Sequence, residues 1–315
     1  MLRLIVTSLF CFAVTACSTT RLSPHPAAIS SYYDYQLYDA TQQTLPIDTL
    51  SDEIRAADVI LVGEWHTHAA IHRFQVDLLK QLSGASTPLA LSMEQFSRDK
   101  QTIVDAYLNG EIGEQVLITQ GAAWPNYESD YRPLVEYAKA NQLDIIAANA
   151  PKDLVRCIGR QGISYLDKLS ANERSKLAKT IDVSGSPYKD KFMASMHHGE
   201  PAQTQRQFAA QMSWDETMAE SIVEYIQQHP NSQVVHIAGK FHTEQGLGTK
   251  ASILKRNPAL NVVVITPVSS PIDNTTTGQD YLLEVLAPPP RYVKMENRIA
   301  AYQHLANRNE DLECN

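Results

Sequence analysis

Polar side chains suited to chemistry stand directly after four separate apolar runs. Gly63-Glu64-Trp65-His66-Thr67-His68 follows the first, with His72 a turn further on. Glu94-Gln95-Phe96 follows the second, Asn149-Ala150-Pro151 the third and Gly239-Lys240-Phe241-His242 the fourth. Glu64, His66, Glu94 and His242 together offer two carboxylates and two imidazoles, a ligand set for a borderline or hard divalent metal ion. The same groups could carry out general acid–base chemistry. With a metal, a bound water lowered towards neutral pKa would attack an ester or a peptide. A serine nucleophile is not indicated, because Gly-x-Ser-x-Gly does not occur. The plainer reading is that Glu64 and His66 cap a helix and satisfy backbone groups at a strand exit. His68 and His72 fall four apart and could share a helix face. Ala69 follows His68 where a zinc protease carries its glutamate, so that pair is a weak metal signal.

A second cluster gathers Tyr188, Lys189, Lys191, Phe192, Met193, Met196, His197 and His198 within eleven residues. A tyrosinate oxygen or a histidine nitrogen ligates haem iron, and Lys189 and Lys191 could pair with propionates. The competing reading is a helix that packs Met and Phe into a core and carries surface histidines at its end.

For the four polar groups to meet, the runs before them must be parallel strands. Asp58–Val62, Pro88–Met93, Leu143–Ala148, Val234–Ala238 and Asn261–Thr266 read as buried strands, and Asp280–Leu286 as an edge strand. Ile71, Phe74, Leu78, Leu79 and Leu82 recur at helical spacing. Further helices are expected around Ile103 and Tyr107 and over Thr249–Arg256. The fold class is therefore α/β, a mostly parallel sheet with helices on both faces. No convincing strand lies between Pro151 and Pro230, which reads as a smaller all-helical subdomain. The sheet domain is expected over residues 32–150 and 231–286, the helical insertion over 151–230 and a C-terminal tail over 287–315. Ligands of such sheets bind beyond the carboxyl ends of the strands, where Glu64, His66, Glu94, Asn149 and His242 would converge.

Ahead of this body, Arg3 precedes an apolar stretch from Leu4 to Val14, and Val14-Thr15-Ala16-Cys17 resembles a lipoprotein processing site. Residues 1–16 read as a signal peptide, Cys17 as the lipidated first residue and residues 17–31 as a polar tether. Several acyl chains anchor firmly where one is marginal. Ser18 rather than aspartate follows the cysteine, which favours the outer membrane, facing the periplasm or the surface. The formal charge is −8, with 27 basic and 35 acidic residues. That balance gives no surplus to neutralise phosphates and argues against nucleic acid as a partner. Cys157 and Cys314 remain, and in an oxidising compartment they form either one disulfide holding the tail or two free thiols.

In order and spacing, Gly63-Glu64-x-His66, Met93-Glu94-x-Phe96, Trp124-Pro125-x-Tyr127, Ala147-Ala148-Asn149, Trp214-Asp215-Glu216-x-Met218-Ala219 and Gly239-x-x-His242 resemble the ChaN-like haem-binding lipoproteins. These share a wider group with erythromycin esterase and the Tiki proteases. The resemblance spans roughly residues 35–270. It implies a parallel-sheet domain with a smaller helical domain, haem as ligand, a role in iron acquisition at the cell envelope, and haem held between subunits of a homodimer by a tyrosine. A haem receptor would be a further partner. The family often has aspartate after the first motif histidine, and Thr67 stands there instead, which weakens a metal or acid role at that position. Tyr188, following the turn Gly185-Ser186-Pro187, is the expected axial ligand, with His197 and His198 next in line. The runner-up is a metal-dependent hydrolase working at Glu64, His66, Glu94 and His242.

Overall fold

Val59–Glu64 and Gln233–Gly239 are buried along their whole length, as strands covered on both faces must be. The computed structural model describes residues 29–85, 87–195, 200–270, 280–307 and 312–314. The expected signal peptide and Cys17, and His197 and His198, lie outside the described residues. Eight strands form one sheet: β1 (Tyr35–Tyr38), β2 (Thr44–Leu45), β3 (Val59–Glu64), β4 (Leu89–Ser97), β5 (Asp144–Asn149), β6 (Gln233–Gly239), β7 (Val262–Val268) and β8 (Tyr281–Val285). Their order is β2-β1-β8-β7-β3-β6-β4-β5. From β8 to β5 every pair is parallel, and only β1 runs antiparallel, against β8 and β2.

The helices are α1 (Asp52–Ala56), α2 (Ala69–Ser83), α3 (Gln101–Leu108), α4 (Glu114–Gln120), α5 (Arg132–Ala140), α6 (Lys152–Gln161), α7 (Ala171–Ser175), α8 (Pro187–Ser195), α9 (Pro201–Gln228), α10 (Lys240–Thr243), α11 (Thr249–Arg256) and α12 (Met295–Asn307). Alternation along β3 sorts the core into two layers. Ile60 and Val62 pack with Ile71, Phe74 and Leu78 of α2 on one face. Val59 and Leu61 pack with Met218, Ala219 and Ile222 of α9 and Ile253 of α11 on the other. Helices thus cover both faces. Among the described residues no helix is long and apolar enough to cross a membrane.

Three features differ from the sequence expectation. The strand near Asp280–Leu286 is internal, because β1 pairs beyond it. Strands β1 and β2 had no apolar signal, being short and only partly buried. The described residues of the 151–230 stretch hold no strand, yet α9 is shared. Its second half packs on the sheet, while Ala209 and Ala210 join Val155, Cys157 and Ile158 of α6. Cys157 and Cys314 form a disulfide, the first of the two alternatives, so the chain's end is tied to α6.

Candidate functional site

Parallel strands end on one rim, and the paired register sets Glu64 of β3 beside Gly239 of β6. On β4 the register slips between Met93 and Ser97, over the stretch that carries Glu94; such irregularities re-aim side chains near sites. Glu64 is buried and accepts four hydrogen bonds. His66 Nδ1 lies at 2.8 Å and the Tyr131 hydroxyl at 2.7 Å from Oε1. Gln95 Nε2 donates to the same oxygen at 3.1 Å and Gln75 Nε2 to Oε2 at 2.8 Å. Burial pushes this carboxyl up, but the His66 hydrogen bond and the nearby His72 and His66 charges outweigh it, so Glu64 sits below the usual carboxylate range. Tyr131 reaches Glu64 from a π-helical turn over Tyr127–Tyr131, a device frequent at functional sites.

His66 is held from behind and open in front. Its ring meets Trp124 edge-on, centroids 5.0 Å apart, and its side chain is 44% exposed. Burial pulls its pKa down, while the Glu64 hydrogen bond and the Glu94 charge raise it overall. The approach of β6 is close. A Cβ on Gly239 would lie 2.9 Å from both Cε1 and Nε2 of His66. Gly239 has an extended backbone, φ −52° and ψ 140°, which alanine also adopts. Gly239→Ala is therefore expected to fold with little change in melting temperature and to displace the imidazole, which a shift of the His66 Cε1 proton resonance would report.

Glu94 Oε2 accepts the Gly239 N–H at 2.6 Å, and Oε1 lies 3.7 Å from His242 Nε2. On its other side, His242 Nδ1 lies 3.0 Å from Asp215 Oδ1. Burial lowers the His242 pKa, but Asp215 and Glu94 push it up to about 9. Asp215, wholly buried, also accepts from Thr249 Oγ1 at 2.7 Å and from the Tyr188 hydroxyl at 2.9 Å. Asn149 braces the rim through its Nδ2, 2.9 Å from the Glu94 carbonyl. The rim set expected from sequence does converge. Asp215 and Gln211, which donates to Tyr188 at 2.9 Å, were not singled out as site residues. The only sequence signal was the place of Asp215 in the Trp214-Asp215-Glu216 motif.

Other expected ligands are engaged elsewhere. Tyr188 is buried among Phe192, Phe208 and Met212. Burial and the Asp215 charge raise its pKa well above the usual tyrosine value, so here its phenol is a neutral donor to Asp215 and offers iron no open position. Lys189 Nζ donates to the Val183 carbonyl at 2.9 Å, and Lys191 pairs with Glu244 at 2.8 Å; neither is a free propionate partner. His68 Nε2 bonds the Leu286 carbonyl at 2.9 Å, while His72 bonds Gln75 and the His66 carbonyl. The two do not act as one metal pair. The divalent-metal alternative finds no support: among the described residues no three His, Cys, Asp or Glu side chains are grouped to hold an ion, and the oxygens of Glu64 already face N–H and O–H donors.

A cleft of about 650 Å³ opens over this rim, lined by Tyr32, Trp65, His66, Lys240, Phe241, His242, Pro288 and Arg291 among others. That volume falls within the ~300–1,000 Å³ of small-molecule sites. A wider depression of about 1100 Å³ follows the free edge of β5, away from the rim. Its polar groups satisfy one another: Gln101 bonds both the Ile145 carbonyl and the Ala147 N–H, and Tyr225 bonds Asp144. The rim cleft is therefore the candidate site.

Two buried histidines give a pH signature. Burial lowers the pKa of His236, fully enclosed beside Ser92, to about 3. Between an unfolded value near 6.5 and that folded value only the unfolded chain takes the proton, so stability falls as pH falls, by about 1.4 kcal/mol per pH unit. His242 is the reverse case. Its raised pKa contributes stability below about 6.5 that is lost as pH rises through about 9. Urea midpoints are expected to peak near neutrality. His242→Gln should flatten the alkaline limb, and an unchanged limb would refute the assignment.

Residues 50–253 match the family described as "Haem-binding uptake, Tiki superfamily, ChaN". No curated protein matches in sequence. Among solved structures, the cofacial haem-binding ChaN of Campylobacter jejuni superposes with a TM-score of 0.61 at 18% identity, over 81% of this chain and 98% of that one. A variant of erythromycin esterase EreC in its open conformation aligns at a TM-score of 0.46 and 12% identity, over 85% of this chain and 87% of that one. The first superposition is a likeness of fold. The match to the family over most of the chain is the stronger finding, and it agrees with the motifs that converge on the rim: this chain belongs to the haem-binding uptake family of the Tiki superfamily, ChaN.

Proposed function

We propose that the protein binds haem as cargo in the rim cleft, with His66 Nε2 as the axial ligand. The observation that carries this is the half-exposed His66 imidazole, which lines the cleft and whose Nδ1 is held at 2.8 Å by buried Glu64. A carboxylate behind a ligating imidazole fixes its tautomer and raises its basicity, which favours ferric iron. Trp65 and Phe241 supply apolar wall, and Lys240, paired with Glu244 at 3.3 Å, stands within the same cleft. This replaces the expected ligand Tyr188, whose oxygen is committed to Asp215.

The wider reading is a lipid-anchored protein of the cell envelope that takes part in haem and iron uptake. Cys17 carries the lipid, the outer membrane is the location, and a second copy and a haem receptor are the partners. Two experiments test the two halves. Haemin added to the soluble protein from residue 18 onward should give a saturable Soret band, and none would refute the cargo. Labelled palmitate should enter the wild type and not Cys17→Ser, and equal labelling would refute the anchor.

A further inference from the structure

Beyond the family match, which ends at residue 253, the chain adds a segment that crosses the candidate cleft. It leaves β8, and its first residues are pinned at the rim. His68 Nε2 bonds the Leu286 carbonyl and the Tyr32 hydroxyl the Ala287 carbonyl, both at 2.9 Å. Pro288, Pro289 and Arg291 then line the cleft itself. Arg291 also borders a second hollow of about 320 Å³, lined by Tyr292, Arg298, Ala301 and Tyr302. Arg291 thus borders both hollows. At its far end the segment is tied to α6 by the Cys157–Cys314 disulfide and by Gln161 Nε2, 2.9 Å from the Cys314 carbonyl. Because α6 follows β5 and the segment begins after β8, the two anchors stand far apart in the strand order.

Between the anchors, apolar surface faces solvent. Tyr292 is 42% exposed, Met295 64%, Ile299 51% and Tyr302 55%. Met295, Ile299 and Tyr302 follow i, i+4, i+7 spacing, one stripe of α12. A contiguous apolar patch rimmed by charge marks a binding surface. Here the charges are mostly cations: Arg291 and Arg298 are both exposed, the Arg298 guanidinium lies 5.7 Å from the Tyr302 ring centre, and the one carboxylate of the stretch, Glu296, faces Lys294 at 3.9 Å. An apolar stripe flanked by two guanidinium groups complements a flat apolar ring system that bears two carboxylates.

We propose that residues 286–302 form a disulfide-anchored strap that supplies the second wall of the haem cleft, with Arg291 and Arg298 taking the carboxylates and the apolar stripe of α12 covering the macrocycle. This rests on haem as the cargo of the rim cleft. It adds residues outside the part of the chain that matches the family.

The test uses the chain from residue 18 onward, titrated with haemin and with haemin dimethyl ester, which lacks the free carboxylates. The variant Arg291→Gln/Arg298→Gln changes only exposed side chains. It should bind haemin about tenfold more weakly, as two partly exposed ion pairs are lost, and bind the dimethyl ester as the wild type does. Amides of residues 286–302 should gain hydrogen-exchange protection on adding haemin. A Cys157→Ser/Cys314→Ser variant should release haemin faster. The strap is overturned if the arginine variant binds haemin like the wild type, if both probes weaken equally, or if the segment is already protected without haemin by a second copy of the chain. No Soret band in the wild type defeats the cargo reading instead, whereas a band lost in His66→Ala but unchanged in the arginine variant defeats only the strap.

Discussion

Haemin binding by His66→Ala is expected to be weaker than wild-type binding by more than about 100-fold, with the fold intact. The expectation follows from position. His66 is the imidazole of the rim with an exposed edge, while His242 is enclosed between Asp215 and Glu94. Removing a half-exposed ring opens no sealed cavity, and Glu64 keeps its Tyr131, Gln95 and Gln75 donors, so the fold should persist with a modest loss of stability. Glu64→Gln should lose about 10–100-fold, the usual effect of removing the partner behind a metal-bound histidine. The pair of variants separates ligation from positioning. Loss in both, with the spectrum of the remaining complex altered only in His66→Ala, supports the assignment. Wild-type affinity in His66→Ala would refute it.

Asp215→Ala is expected to cost about 3–5 kcal/mol of folding stability, as does breaking a buried ion pair. Asp215 faces His242 at 3.0 Å and accepts from Tyr188 and Thr249. Its removal strands a buried imidazolium beside Glu94 and leaves two hydroxyls without their acceptor. The His242 pKa should then fall, and the loss of stability between about 6.5 and 9 should shrink with it. Urea denaturation across that range reads both effects. Asp215→Asn keeps the volume and should cost less. If Asp215→Ala unfolds at the wild-type urea concentration, the buried network contributes nothing to the fold.

The central strands were legible because strands buried on both faces read as unbroken apolar runs, as in Val59–Val62 and Val234–Ala238. Their polar exits were legible for the same reason, since in a parallel sheet the residue after each run reaches one rim. Strands β1 and β2 were not, because Tyr35-Gln36-Leu37-Tyr38 is short and buries only Leu37 fully. Gln211 and Asp215 escaped notice as site residues because polar residues in a long helix ordinarily face water, and only packing turns them onto His242. Tyr188 was ambiguous for a related reason. A tyrosine in the first turn of a helix suits either a ligand or a buried donor, and the choice is made by Asp215, 27 residues away in sequence. The disulfide was one of two readings, since spacing does not show which cysteines meet.

The iron ligand is read most directly from a crystal structure of the chain from residue 18 onward with haemin bound. Iron is expected at bonding distance from His66 Nε2, with the Glu64–His66 hydrogen bond retained and the macrocycle in the cleft beside Trp65 and Phe241. Iron bound by Tyr188 or by a residue outside the rim cleft would contradict the assignment.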